Sequence, residues 1–177
     1  TRKVTLGVAR IARAIADGKP FEPLELGNLD SYRSLQHASD VADCVWRMLN
    51  QERYRDVYSA TPDGKVLVDP VEYVLSAPDT HTVREFVEKA FAEAGITGLW
   101  GGSGTDERYT RLVPYPGAMV TKEPLVVVNP AFLRLADVTY LHGDSTRART
   151  ELGWSPKVTF DELVARMVRS DLAAVGL

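Results

Sequence analysis

Thr97-Gly98-Leu99-Trp100-Gly101-Gly102-Ser103-Gly104 is the most suggestive stretch of this 177-residue chain. It matches T-G-x-x-G-x-x-G, in which glycines allow a tight turn and let backbone amides approach a pyrophosphate at a helix N-terminus. That chemistry requires a strand before the loop and a helix after it. Here a helical pattern ending at Gly95 precedes the loop, and Thr105 to Pro114 carries no amphipathic stripe, so the match reads as a decoy. Proton transfer by a lysine-activated tyrosine needs Tyr-x-x-x-Lys. None of the seven tyrosines has a lysine four residues on. His37, His81 and His142 lie far apart, without metal-ligand spacing, and read as surface or capping residues. Cys44 sits in a helical stripe with no activating neighbour and reads as core. Anion recognition is better placed. Arg33 follows the Gly27 to Asp30 turn and precedes a helix start, where its fork would meet a phosphate. Arg134 follows an apolar strand, with Asp137 three residues on. An anion-binding arginine and a hydroxyl-accepting carboxylate suit a nucleotide sugar.

These side chains need a scaffold, and the hydrophobic pattern supplies one. Val4, Val8, Ile11, Ala12 and Ile15 recur at helical spacing, with Asp17-Gly18 as the stop. Leu24-Glu25-Leu26 reads as a short strand, followed by a helix with Val41, Val45, Met48 and Leu49 on its apolar face. Gln51 to Pro70 is polar and turn-rich, with Pro62-Asp63-Gly64 as a turn and a hairpin around Val66-Leu67-Val68. A further strand is expected at Tyr73-Val74-Leu75. Thr82 with Glu85 and Thr159 with Glu162 each form a capping box opening a helix. Leu125 to Val128 is a β-branched strand bounded by prolines, and Asp144 or Ser145 caps a short helix ending at Gly153.

Composition narrows the classes. Gly 13 and Pro 10 are close to the globular average, so neither a fibre nor a disordered chain is expected. One α/β domain over residues 1–177 is the default for this length. A net charge of −3 argues against non-specific binding to nucleic acid or to an anionic membrane. No apolar run approaches the roughly 18 residues of a membrane span. Arg10 and Arg13 interrupt any signal-peptide layout, and a single cysteine fits a reducing cytoplasmic home. The chain opens at Thr1 with a helix already under way, as expected of a fragment or a processed chain.

The order of segments is similar to the C-terminal half of the GDP-mannose 4,6-dehydratases. The resemblance rests on Thr1-Arg2-Lys3-Val4, Leu26-Gly27-Asn28-Leu29-Asp30, Thr82 to Glu88, and Leu152-Gly153-Trp154-Ser155-Pro156-Lys157 running on to Val164. His37-Ala38 and Gly143-Asp144 fall in matching places, and the stretch from Gln51 to Val71 is the main insertion. It implies the substrate-binding lobe of an extended short-chain dehydrogenase/reductase, of the NAD(P)-binding Rossmann-like superfamily. That family uses NADP to convert GDP-mannose to GDP-4-keto-6-deoxy-mannose. Its cofactor loop and catalytic residues lie in a Rossmann half that precedes the position of Thr1. No catalytic, cofactor-binding or metal-binding residue is therefore expected here.

By the same resemblance Lys3 lies near the guanine, Arg33 and Arg134 on the diphosphate, and Asp137 at the nucleoside. The chain departs from the family where Arg33-Ser34-Leu35-Gln36 replaces Arg-Asp-Trp-Gly, and where Asp137 replaces a glutamate. The first change removes an arginine-orienting carboxylate. Three readings follow: the substrate lobe of a lyase completed by a Rossmann half and assembling as a homo-oligomer, a non-catalytic nucleotide-sugar module, or an assembly domain without ligand. A lobe that packs on another domain would expose an apolar face, and the stripe Val4, Val8, Ile11, Ile15 is the expected one.

Overall fold

A computed structural model describes residues 1–52, 58–64, 66–68, 71–113, 119–134 and 136–177. Its helices are α1 (Arg2–Ala16), α2 (Ala38–Leu49), α3 (Val83–Glu93), α4 (Thr146–Leu152) and α5 (Phe160–Ala174). Its first strands are β1 (Leu24–Leu26), β2 (Tyr32–Arg33), β3 (Tyr58–Ala60), β4 (Val66–Val68) and β5 (His81–Thr82). The later ones are β6 (Gly98–Gly101), β7 (Arg108–Val113), β8 (Met119–Val128) and β9 (Tyr140–Leu141). Together they form an α/β fold of two compact units. The first comprises Thr1–Arg33, Thr80–Leu141 and Thr159–Leu177; the second comprises Ser34–Asp79 and His142–Val158.

In the first unit, α1, α3 and α5 pack on one another beside a sheet of order β1-β8-β7-β6. β1 runs parallel to β8, and the other pairs are antiparallel. Both capping boxes form: the Thr82 hydroxyl accepts from the Glu85 amide, the Thr159 hydroxyl from the Glu162 amide, and each glutamate reaches back. Phe91 of α3 rests on Tyr109 of β7, ring centroids 5.6 Å apart. A side chain at Gly7 of α1 would press on Leu24 of β1, so glycine lets helix and strand approach. Val4, Val8 and Ile11 are buried, which corrects the expectation that this stripe is exposed. The partner that covers them is within the unit, since α1 packs on α5 and the Thr5 hydroxyl donates to the buried Asp171 carboxylate at 2.7 Å. Each such aliphatic side chain withdrawn from water contributes about 1.5–3 kcal/mol.

β8 is longer than the expected Leu125 to Val128 and runs through Pro124. Proline has no amide to donate. The ladder to β7 accordingly shifts register around Thr110, the residue facing Pro124. Gly98 to Gly101 is β6, an edge strand paired antiparallel with β7, and Gly104 to Asp106 is a 3-10 turn. A second small sheet, β5-β2-β9, closes this unit.

In the second unit, Trp154, Cys44 and Ala148 form a buried cluster, with Met48, Tyr73, Leu75 and Leu152 around it. β3 and β4 pair as the expected hairpin. Tyr73 to Leu75 is not a strand; the segment is coil. The α2 face also differs from expectation. Val45 and Leu49 are exposed, whereas Asp40 and Cys44 are buried. Polar bonds set that rotation, because Trp154 Nε1 donates to the Asp40 carbonyl at 2.8 Å and the Val158 amide to the Asp40 carboxylate at 3.1 Å. Arg47 then donates to the Leu152 and Gly153 carbonyls, fixing the end of α4. Gly153 closes that helix at a φ of 58°, which a side chain would strain.

Candidate functional site

The first unit gathers three of the expected binding residues at the turn between β1 and β2 and the loop after β8. Backbone contact comes first. The Asn129 amide donates to the Leu26 carbonyl at 2.7 Å, and a Cβ on Gly27 would lie 2.5 Å from the Phe132 carbonyl oxygen. Only glycine lets the turn sit that close to the loop. Asn28 then folds on itself, its side-chain oxygen accepting from the Asp30 amide at 3.0 Å. That leaves the Asn28 amide group facing outward, where it donates to Asp137 at 2.9 Å. The buried Ser31 donates to the same carboxylate oxygen at 2.8 Å.

The other oxygen of Asp137 accepts from Arg33 Nη2 at 3.2 Å. Arg33 Nη1 donates to the Val138 carbonyl at 2.7 Å and to the Tyr32 carbonyl at 2.8 Å. Three of the five guanidinium N–H groups are thus engaged, and two remain, the Nε–H among them. Hydrogen bonds from Ser31 and Asn28, and then the charges of Arg33 and Arg134, hold the Asp137 carboxyl below its ordinary value. Arg134 is exposed and reaches Asp137 by its charge, with no hydrogen bond or ion pair among the described residues. Lys3 joins the corner through Phe132, its ammonium 4.0 Å from the ring centroid. The corner therefore gathers three cations, Lys3, Arg33 and Arg134, around the Asp137 carboxylate, with Glu25 held by Asn129 at its edge. It can hold an anion.

The histidines serve structure. His37 caps α2, its Nδ1 accepting from the Ser39 amide at 3.1 Å. His81 stacks on Phe160 with centroids 3.7 Å apart, and His142 Nε2 lies 3.0 Å from the Ala77 carbonyl oxygen. Cys44 is buried, and that burial raises its thiol pKa, which disfavours a nucleophilic thiolate. Among the described residues no three His, Cys, Asp or Glu side chains converge as a metal site.

The sequence profile of the GDP-mannose 4,6 dehydratases matches residues 1–167. A Drosophila melanogaster GDP-mannose 4,6 dehydratase is 38% identical over 97% of this chain. The chain belongs to the GDP-mannose 4,6-dehydratase family. It spans 36–41% of the length of the curated family relatives it matches. Two solved structures share the fold, both under 25% identical. RMD from Pseudomonas aeruginosa, complexed with NADPH, superposes with a TM-score of 0.60 at 18% identity, covering 97% of this chain and 43% of that one. UDP-glucose 4-epimerase from Bifidobacterium longum, in complex with NAD+ and UDP, gives 0.55 at 16%, covering 98% and 39%. The fold is therefore that of part of an extended short-chain dehydrogenase/reductase.

Within this dehydratase-family chain, the residues at Gly98 to Gly104 do not fit a dinucleotide. They form an edge strand and a 3-10 turn, with no helix N-terminus to receive a pyrophosphate. Three side chains of the corner escaped the reading of spacing: Asn28, Ser31 and Phe132. Asn28-Leu29-Asp30 does carry the signature of an Asx turn, which predicts a folded-back Asn oxygen and a free amide group. Nothing in the spacing marks Ser31 or Phe132, whose partners lie 106 and 129 residues away in sequence. The Arg33 tether is the larger surprise. The family aspartate that would follow Arg33 is Ser34 here, and Asp137 supplies an orienting carboxylate from across the small sheet. Ser34 instead accepts from the Ala77 amide at 2.9 Å and from Ser76 at 2.8 Å within the second unit.

Helices of the described residues include none long and apolar enough to cross a membrane.

Proposed function

We propose that this chain supplies the sugar-nucleotide-binding lobe of a GDP-mannose 4,6-dehydratase, with both compact units belonging to that lobe. The observation that carries the reading is Arg33: its fork is immobilised by Asp137 and two carbonyls, yet two N–H groups remain to donate. A pre-oriented fork loses little freedom on meeting a phosphate. Arg134 adds a second unpaired cation, so these two arginines bind the diphosphate. Lys3, held over Phe132, lies at the guanine, and Asp137 at the nucleoside edge. Conversion of GDP-mannose to GDP-4-keto-6-deoxy-mannose then requires a separate Rossmann half, which brings NADP and the proton-transfer groups. The assembled protein is a cytoplasmic homo-oligomer on this reading.

One observation favours a second reading, a nucleotide-sugar module without catalysis. Both Asp137 oxygens already accept from protein donors, so the carboxylate serves the fold as much as a ligand. Calorimetric titration of GDP and UDP into the chain tests the binding claim shared by both. The expected result is binding of both diphosphates, GDP the tighter, with marked loss in Arg33→Ala and in Arg134→Ala. Equal weak binding of both ligands by all three proteins would sink it. Assay of the chain with GDP-mannose and NADP is expected to show no turnover, and measurable turnover would overturn the need for a second half.

A further inference from the structure

α2 turns Asp40 and Cys44 inward, and hydrogen bonds from Trp154, Val158 and Arg47 fix that orientation. Its opposite face is Ala38, Ala42, Val45 and Leu49, spaced as the seam of a heptad repeat, with Trp46 beside it. All five are exposed, Val45 by 45%, Trp46 by 65% and Leu49 by 70%. No charge lies on this stripe. The charged neighbours Asp43 and Arg47 bond to each other at 2.9 Å, and Arg47 also holds the Leu152 and Gly153 carbonyls. An exposed apolar patch of this kind marks an interaction surface. Side-chain size decides what fits it. The residues are small at the N-terminal end of the stripe and large at the C-terminal end. Leu49 with Ala38 and Val45 with Ala42 are both centred between Asp43 and Cys44. One two-fold axis at that point therefore sets each large side chain of one helix on a small one of an identical, antiparallel helix. A parallel pair would set Leu49 on Leu49 and Ala38 on Ala38, which splays one end. Antiparallel packing also opposes the two helix dipoles.

We propose that a second copy of this chain covers the stripe, the two α2 helices packing antiparallel about a two-fold axis. Such an interface is isologous, so the same residues serve both copies. Trp46 flanks the seam and supplies the aromatic anchor that dominates many interfaces. The contact is small. A helix of 12 residues is about 18 Å long and offers less than the roughly 800 Å² per partner of a standard interface. The pairing is therefore weak and reversible. It does not depend on the Arg33 corner, which belongs to the first unit.

The test is sedimentation velocity of the full 177-residue chain and its variants across a wide range of concentration. A reversible monomer–dimer equilibrium is expected. Trp46→Ala should weaken it about 30-fold or more, the scale of an interface hot spot. Val45→Ala opens a gap and Ala42→Val overfills one, so each alone should weaken pairing about tenfold. Together the two substitutions exchange the sizes across the axis and should restore most of the loss. These positions are exposed, so circular dichroism should show every variant as helical as the unaltered chain. A chain that stays monomeric at every concentration overturns the proposal, as does a dimer indifferent to Trp46→Ala. Loss in both single variants without rescue in the double overturns the antiparallel register. A chain that pairs through Trp46 with an added Rossmann half, and not with itself, gives the stripe to that half and overturns the self-pairing. GDP titration reads the diphosphate proposal separately in each case.

Discussion

Arg33 and Arg84 lie in the same compact unit, and each donates to an aspartate, but the charge around them differs. Arg84, in the first turn of α3, meets two carboxylates. It donates to Asp30 through Nε and Nη2, at 3.2 and 2.9 Å. It donates to Glu107 through Nη1 and Nη2, at 2.6 and 3.1 Å. Its face covers Trp100 at 4.7 Å, and Trp100 in turn donates to Glu88. Hydrogen bonds to Glu107 and then Asp30 raise the Arg84 pKa further, against the cost of desolvation. That cluster is closed, and its charge is net negative. Arg33 shares one carboxylate with two neutral donors and rests on two uncharged carbonyls, while Arg134 and Lys3 add positive charge nearby. The difference separates the proposed binding arginine from a scaffold arginine. It is the count of compensating charges, since both side chains are hydrogen-bonded.

Truncating the closed cluster should cost the most stability. Arg84→Ala leaves Glu107, with 17% of its side chain exposed, without a counter-charge and uncovers Trp100. Breaking a fully buried pair costs 3–5 kcal/mol, and the partial exposure here reduces that to about 2–3 kcal/mol. Urea denaturation reads the loss, and GDP affinity per folded molecule should not change. An Arg84 variant that folds normally but no longer binds GDP would erase the distinction drawn between the two arginines.

Arg33→Ala should do the reverse. The fork donates to three acceptors, two of them carbonyls that water can satisfy, so the stability change is small. The proposed diphosphate contact would be charge-assisted, and its removal should lower GDP affinity by about 1.5–3 kcal/mol, roughly ten- to a hundredfold. Arg134→Ala should lose the same or less, because nothing among the described residues pre-orients it. Raising salt should weaken binding in the unaltered chain more than in either variant, since exposed charges are screened.

The sequence revealed more of the scaffold than of this contrast. Thr82 with Glu85 and Thr159 with Glu162 announce their helices because a capping box is local, closed within four residues. The Leu24 to Leu26 strand and the α1 stripe follow from periodicity alone. α2 was misread because its orientation depends on Asp40 meeting Trp154 and Val158, more than a hundred residues on. β2, β5 and β9 are two residues long and have no pattern to detect. At the site, Arg33 and Asp137 could be nominated by turn position and by resemblance, but their mutual bond could not. Arg84 was passed over for the same reason. Both pairings are set by strand order in the folded chain.

Lys3 offers a smaller effect at the open corner. Its ammonium stands 4.0 Å from the Phe132 centroid, and Phe132 is 46% exposed. Phe132→Ala frees the ammonium without removing its charge. The cation–π contact at such a site contributes about 0.5–1 kcal/mol, so GDP affinity should fall about two- to fivefold. The matching change at the closed cluster, Trp100→Ala, should leave GDP affinity untouched and lower stability. A Phe132 variant with full affinity would place Lys3 outside the nucleotide site.

Acid separates the two regions least, through Asp137 alone. Its carboxyl is held below the ordinary value by Ser31, Asn28, Arg33 and Arg134. A carboxyl depressed in the folded chain contributes stability above its unfolded value, about 3.9, and loses it as pH falls through the folded value. Asp17 and Asp144 are also depressed and produce the same trend elsewhere. The informative quantity is therefore the difference in melting temperature between the unaltered chain and Asp137→Asn, in which those two carboxyls cancel. That difference should be constant above about pH 5 and should close as the pH falls below about 3.9. Protonation also releases Nη2 of Arg33, while its bonds to the Tyr32 and Val138 carbonyls persist. The arginine thus keeps most of its orientation in acid, and the gap in melting temperature should be modest. A gap that stays constant to pH 2.5 would show that Asp137 acts through shape and neutral hydrogen bonds, and that the open corner owes nothing to the charge of that carboxylate.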